Sequence, residues 1–179
     1  DIFNKVLPLL QALISTPSFS KEEEQTAARI VAFLKQQGIE PHQKGNNVLV
    51  QSKYYEAAKP TLLLNSHHDT VKPNSSYTRN PFVASIEDGK LYGLGSNDAG
   101  GPLIALLGAF LNLYNRADLP FNLVYAATAE EEISGKGGIE SITGDLGNIN
   151  AAIVGEPTQM QMAVAERGRN SMTAISPKI

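Results

Sequence analysis

Four short stretches of this sequence carry side chains that could hold a cation or move a proton. They are Asn65-Ser66-His67-His68-Asp69, the glycine-rich run Gly93 to Gly101 with Asp98 inside it, Thr128-Ala129-Glu130-Glu131-Glu132, and Gly155-Glu156-Pro157-Thr158. In extended chain, residues i and i+2 share a face, so His67 and Asp69 point together and His68 points away. A carboxylate beside a histidine ligand fixes its tautomer and raises its basicity. A lone histidine is ordinarily a hydrogen-bonded core side chain. Three acidic clusters expected at the same edge reverse that reading for His67, while His68 keeps it.

The acidic triplet Glu130-Glu131-Glu132 has an internal control in Glu22-Glu23-Glu24. The earlier triplet opens a helix, where negative charge suits the helix dipole, and it reads as a solvated face. The later one follows an apolar strand. Two like charges 4 Å apart repel by roughly 4 kcal/mol at an effective dielectric of 20, and cations relieve that repulsion. The glycine run fails as a dinucleotide fingerprint, because Asp98 stands where the third glycine belongs. It also fails as a phosphate loop, because Gly100 is followed by Gly101-Pro102. An aspartate projecting from such a loop is better placed to hold a cation. Cysteine is absent, which excludes a thiol nucleophile, and the lack of a Gly-x-Ser-x-Gly elbow argues against a serine hydrolase. One histidine and several carboxylates suit zinc, with manganese or cobalt as substitutes.

These residues sit in a chain of 179 residues, about one domain, with 42% apolar and 18% charged residues. The net charge of -3 argues against a nucleic-acid partner. The longest apolar stretch, Pro102 to Tyr114, is too short for a bilayer and is interrupted by Asn112. Asp1 opens no basic leader, so the expectation is a soluble, cytoplasmic protein with no membrane partner.

The positioning elements follow from periodicity. Ile2, Val6, Leu9, Leu10 and Leu13 have helical spacing, and Thr16-Pro17-Ser18 ends that helix. Ser20 with Glu23 three residues on reads as a capping box for a second helix bearing Ala27, Ile30, Val31 and Leu34, which Gly38 terminates. Strands are expected at 47–51, 61–64, 121–127, 151–154 and 161–165, with a strand or turn at 89–93. Helices are expected over 98–115 and from 138. Alternating strands and helices argue for an α/β fold around a mostly parallel sheet. Ligands bind beyond the carboxyl ends of such strands, so His67, the glutamate run and Glu156 are expected to converge on one edge.

Together the stretches Ser66-His-His-Asp-Thr-Val71, Tyr92 to Gly101, Thr128 to Glu132 and Val154 to Thr158 resemble the dinuclear-zinc aminoacylase and carboxypeptidase family. That family includes acetylornithine deacetylase and succinyl-diaminopimelate desuccinylase. Each stretch alone is weak, but four in this order and spacing are specific. The resemblance covers residues 1–168, a partial catalytic metal-binding domain, and the tail 169–179 departs from the pattern. It implies a three-layer αβα catalytic domain and hydrolysis of the amide bond of an N-acyl amino acid, of acetylornithine type by the look of Gly155 to Thr158. A dipeptidase or carboxypeptidase of the same family, and a non-catalytic metal-binding or scaffold fragment, are the alternatives.

By position, Asp98 resembles the carboxylate that bridges two zinc ions. His67 and Glu156 resemble the other ligands of one zinc, and Glu132 a ligand of the second. Glu131 resembles the general base, Asp69 the partner of His67, and the peptide after Asp98 is expected to be cis. Family members are about twice this long. They add a lid domain that also dimerises and helps bind the substrate, and a late histidine that completes the second zinc. The histidines here are His42, His67 and His68. The chain therefore reads as the catalytic half without the lid, with one tighter metal position, one weak or vacant, and little turnover alone. Calorimetric titration of zinc into metal-free protein is expected to show one tight site, and two equally tight sites would refute this.

Overall fold

The computed structural model describes residues 1–159 and 161. The strand expected at 161–165 and the tail 169–179 lie outside the described residues. Helix α1 spans Ile2–Ile14 and buries Val6, Leu9, Leu10 and Leu13, the spacing of one helix face. Asp1 accepts a hydrogen bond from the Phe3 amide at 3.1 Å and caps its start. Helix α2 spans Glu24–Gln36 with Ala27, Ile30 and Leu34 fully buried. At its end the Gly38 amide donates to the Lys35 carbonyl and the Ile39 amide to the Leu34 carbonyl, with Gly38 at φ +73°. That is a Schellman ending, which needs the left-handed residue glycine supplies.

The capping box is corrected. Ser20 does not cap α2; its hydroxyl donates instead to Asp69 Oδ2 at 2.7 Å. Glu23 takes the cap position without a side-chain cap bond. Lys21 turns the chain through φ +76°, and Glu23 ends fully buried rather than in a solvated face. The demand of a buried carboxylate for donors outweighs a local cap worth about 1 kcal/mol.

Among the described residues seven strands follow: β1 (His42–Lys44), β2 (Asn47–Gln51), β3 (Thr61–His67), β4 (Ser85–Glu87), β5 (Lys90–Tyr92), β6 (Asn122–Thr128) and β7 (Ala151–Val154). Five form one sheet in the order β1-β2-β6-β3-β7. The β6–β3 and β3–β7 pairs are parallel, and β2 runs antiparallel to both its neighbours. The register sets His67 opposite Thr128 and Asn65 opposite Val154, so the carboxyl ends of β3, β6 and β7 share one rim. Strands β4 and β5 form a separate hairpin whose Asp88-Gly89 turn has positive φ at both residues, as a two-residue hairpin turn requires.

Helix α3 (Gly101–Leu113) and α1 lie on one face of the sheet, around Leu64, Leu103, Leu107, Phe110 and Tyr125. The short helix α4 (Ile139–Ile142) and Leu146 cover the other, against Leu49, Leu63, Val124 and Ala126. Strand β6, central in the sheet, is buried along its whole length, whereas all four residues of β7 are exposed. The helix expected from Asp98 begins at Gly101. Residues Ser96–Gly100 form a wide turn in which Asp98 and Ala99 leave helical geometry, and the Gly100 amide donates to the Gly95 carbonyl at 2.8 Å. A Cβ on Gly100 would stand 2.5 Å from that carbonyl oxygen and 2.7 Å from Leu10 Cδ1, so only glycine fits. The Asp98–Ala99 peptide is cis.

Phe110 is fully buried, with its ring centre 5.9 Å from that of Tyr125. Phe110→Ala is therefore expected to destabilise the chain by about 3–5 kcal/mol in urea unfolding. Ile153→Thr on exposed β7 is expected to change stability by less than about 0.5 kcal/mol.

Candidate metal centre

The rim at the ends of β3, β6 and β7 gathers the acidic side chains around one imidazole. His67 ends β3 and is 1% exposed. Its Nδ1 lies 3.0 Å from the Asp69 carbonyl and 3.3 Å from Asp69 Oδ1. Both partners only accept, so Nδ1 carries the proton and Nε2 faces the rim. Nε2 is 3.1 Å from Asp98 Oδ1, 3.8 Å from Glu131 Oε2 and 3.9 Å from Glu156 Oε2. The ligand atoms of His67, Asp98 and Glu132 all lie within 4.8 Å of one another. All six residues singled out from the sequence thus meet at this rim: His67, Asp69, Asp98, Glu131, Glu132 and Glu156. That triplet places Glu132 with His67, whereas the resemblance implies Glu156 as the partner of His67.

His68 points the opposite way. Its Nε2 donates to the Asn46 carbonyl at 2.9 Å, which leaves Nδ1, 2.9 Å from Thr26 Oγ1, to accept from that hydroxyl. It is a satisfied core histidine, and burial holds its pKa below the ordinary value despite the Asn46 bond.

The acidic loop is held by its backbone. The Ala129 amide donates to Asn47 Oδ1 at 3.0 Å and the Glu130 amide to Glu23 Oε1 at 3.1 Å. The Glu131 and Glu132 amides donate to Asp69 Oδ1 and Oδ2 at 3.1 and 3.2 Å. Asn47, Glu23 and Asp69 are all fully buried. Four consecutive amides therefore each meet a side-chain oxygen from beneath the loop, and the single 3-10 turn Glu131–Ile133 is fixed above them. Asn47, Glu23 and Ser20 were not singled out as site residues from the sequence. The polar pair Asn46-Asn47 opening an apolar strand was the available signal, since buried amides must be paired.

Beside the triplet opens a cleft of about 190 Å³ bounded by Thr70, Val71, Tyr77, Leu94, Asp98 and Glu132. Among the described residues, Thr70 Oγ1 is the one buried side-chain polar atom with no hydrogen-bond partner.

Comparison with known proteins gives a consistent picture. Residues 63–167 match the family model described as peptidase family M20/M25/M40. The fold is similar to an M20 family metallo-carboxypeptidase from Sulfolobus solfataricus, with 29% identity and a TM-score of 0.69, over 84% of this chain and 37% of that one. It is also similar to human carnosine dipeptidase 1, with 21% identity and a TM-score of 0.65, over 86% of this chain and 38% of that one. A dinuclear metal-binding M20 peptidase from Bacillus subtilis shares 20% identity with a TM-score of 0.64, over 86% of this chain and 42% of that one. The chain thus spans less than half the length of these solved structures.

The donor set fits a divalent cation. Ligands about 2.0–2.1 Å from a tetrahedral ion are about 3.3 Å apart, and the Nε2–carboxylate separations of 3.1 to 3.9 Å bracket that value. The charges point the same way. Burial alone would lower the His67 pKa, but the hydrogen bond to Asp69 and the charges of Asp69, Glu156 and Glu131 outweigh it and raise it to about 9. Burial also opposes ionisation of Asp69, yet the bonds from His67, Ser20 and the Glu131 amide hold its pKa below the usual carboxylate range. Burial first, and then the neighbouring carboxylates, raise Glu132 and push Glu156 up to about 7, with His67 opposing. The carboxylates crowd one another, and a single imidazolium offsets them.

A cation must displace these protons. Below pH 7 binding is expected to expel one proton from His67 and one from Glu156, and between 7 and 9 from His67 alone. Zinc affinity therefore rises with pH, while the stability that protonated His67 gives the metal-free fold is lost as pH passes through about 9. Calorimetry in buffers of different ionisation enthalpy counts the protons. A count that stays constant between pH 6 and 8.5 contradicts this charge assignment.

Proposed function

The chain belongs to peptidase family M20/M25/M40, and from that membership and the crowded rim we propose that it carries the metal-binding and proton-transfer groups of a hydrolase that cleaves the amide bond of N-acyl amino acids. The observation that carries the reading is the convergence of His67, Asp98 and Glu132 within 4.8 Å, with Glu131 and Glu156 each within 4 Å of the same imidazole nitrogen.

His67, Asp98, Glu132 and Glu156 would hold one or two divalent cations, zinc first by donor chemistry, with cobalt or manganese as substitutes. Bound there, such a cation supplies Lewis acidity to a scissile carbonyl and makes a nearby water more acidic. Asp69 keeps the His67 proton on Nδ1 and so presents Nε2 as the donor. Glu131, 53% exposed at the rim, is the base that takes a proton from water as the oxygen attacks the acyl carbon. The carbon–nitrogen bond then breaks, and Glu131 returns the proton to the leaving amine. The cleft beside Asp98 and Glu132 has room for a small acyl or amino-acid group.

Within this class we favour acetylornithine-type deacetylation, on the form of Gly155-Glu156-Pro157-Thr158. A dipeptide or peptide substrate is the second reading, favoured by the carboxypeptidase and dipeptidase among the similar structures. A purely metal-binding fragment needs no base at position 131. Release of acetate from N-acetyl-L-ornithine by the zinc-loaded chain is expected to be slow, and Glu131→Gln to abolish it with zinc affinity retained. An unchanged rate in that variant removes Glu131 from the base role. Faster cleavage of dipeptides than of acetylornithine transfers the reading to peptidase chemistry.

A further inference from the structure

We propose that Glu23 is the positioning residue of the acidic loop: buried beneath it, the Glu23 carboxylate holds the Glu130 amide and fixes the backbone from which Glu131 and Glu132 project toward His67 and Asp98. Glu23 is fully buried, although its neighbours Glu22 and Glu24 are exposed. Three donors converge on it: the Lys21 amide on Oε1 at 2.7 Å, the Glu130 amide on Oε1 at 3.1 Å, and Asn46 Nδ2 on Oε2 at 2.8 Å. A buried carboxylate is costly unless its oxygens are met by donors, so this arrangement locks three segments together. Those segments are the turn before α2, the turn between β1 and β2, and the loop after β6.

The position of Glu23 in that set is what gives it a role. Of the four consecutive loop amides, Asn47 holds the first and Asp69 the last two. Glu23 holds the second, at Glu130, where the backbone turns through φ +54°. A non-glycine residue at positive φ is strained, and it persists where its surroundings over-determine it. The Glu130 carbonyl accepts from the Gly135 amide at 2.8 Å, and its side chain accepts from the Gly137 amide at 3.2 Å. Glu130 thus faces away from the metal triplet and serves as the pivot of the loop, and Glu23 clamps that pivot. With the clamp gone, the pivot can relax, and Glu131 and Glu132 lose their fixed approach to the rim. The same carboxylate is tied through Asn46 to His68, the residue after the imidazole at the rim. Glu23 therefore links both arms of the centre, the end of β3 and the end of β6.

The functional part of this inference rests on the metal-hydrolase reading, so its test uses measurements that do not need turnover. In wild-type, metal-free protein, amide exchange by NMR should show the Glu130 amide protected. Glu23→Ala, which removes the acceptor, should speed exchange at Glu130 by about tenfold beyond any chain-wide change recorded at Tyr125. It should also weaken zinc binding by about 10- to 100-fold, the usual effect of losing a partner that orients ligands. Glu23→Asp, one methylene shorter and able to keep the buried charge, should give a smaller loss of both kinds and covers the case in which Glu23→Ala does not fold. Glu23→Gln can keep one oxygen on Lys21 and Glu130 and turn its amide to a flipped Asn46, so it should restore both to within about threefold. Glu22→Gln and Glu24→Gln should match wild type. An unprotected Glu130 amide in wild type, or zinc affinity unchanged in both Glu23→Asp and Glu23→Ala, overturns the proposal. Failure of the wild type to bind zinc at all would instead bring down the metal reading on which it rests.

Discussion

The Asp69 carboxylate is the interaction on which the rest of the centre depends. It is fully buried, and four donors satisfy it: His67 Nδ1, the Ser20 hydroxyl, and the Glu131 and Glu132 amides. An unpaired charge in that position costs several kcal/mol, so the three segments that bring those donors are bound to one another through it. One oxygen fixes the tautomer of the imidazole and also the start of the 3-10 turn that carries the base candidate. The geometry of the rim is thus set from beneath, by groups that never reach solvent.

Above that base the molecule holds an arrangement that opposes its own stability. Asp98, Glu131, Glu132 and Glu156 gather around a single imidazole, and burial first, then the neighbouring carboxylates, raise the Glu132 and Glu156 pKa values. Like charges 4 Å apart repel by roughly 4 kcal/mol at an effective dielectric of 20 and by about 1 kcal/mol in water. Folding of the scaffold holds them there: β3, β6 and β7 end at one rim because the parallel register leaves no other place for their loops. Such local conflict between charge and fold is what a divalent cation resolves, and it is confined to the side chains that reach the rim.

Much of this was legible in the sequence because it depends on local period. Strand alternation paired His67 with Asp69 and turned His68 inward, and three strands running into polar residues foretold a shared rim. Gly38 marked the end of α2 by the left-handed geometry its ending requires. What escaped was set by tertiary demand. Ser20 has the spacing of a cap, yet a buried carboxylate 49 residues away takes its hydroxyl. Of three consecutive glutamates, only Glu23 is buried, and nothing in the spacing of Glu22-Glu23-Glu24 distinguishes it. The wide turn at Ser96–Gly100 replaces a first helical turn because the backbone at Asp98 and Ala99 leaves helical geometry, a departure that the helix-like pattern of the following residues conceals.

The strand order has a consequence for assembly. Strand β6 lies between β2 and β3, so those two strands, although made earlier, share no neighbour until Asn122–Thr128 exists. On a ribosome, most of the chain emerges before the centre of its sheet can close. The closing contacts join residues about 60 to 80 positions apart, an ordering that slows folding relative to local topologies. For that interval Leu63 and Val50 lack their β6 neighbours Val124 and Tyr125, and the nascent segment is the form of this molecule most in need of shielding from its neighbours.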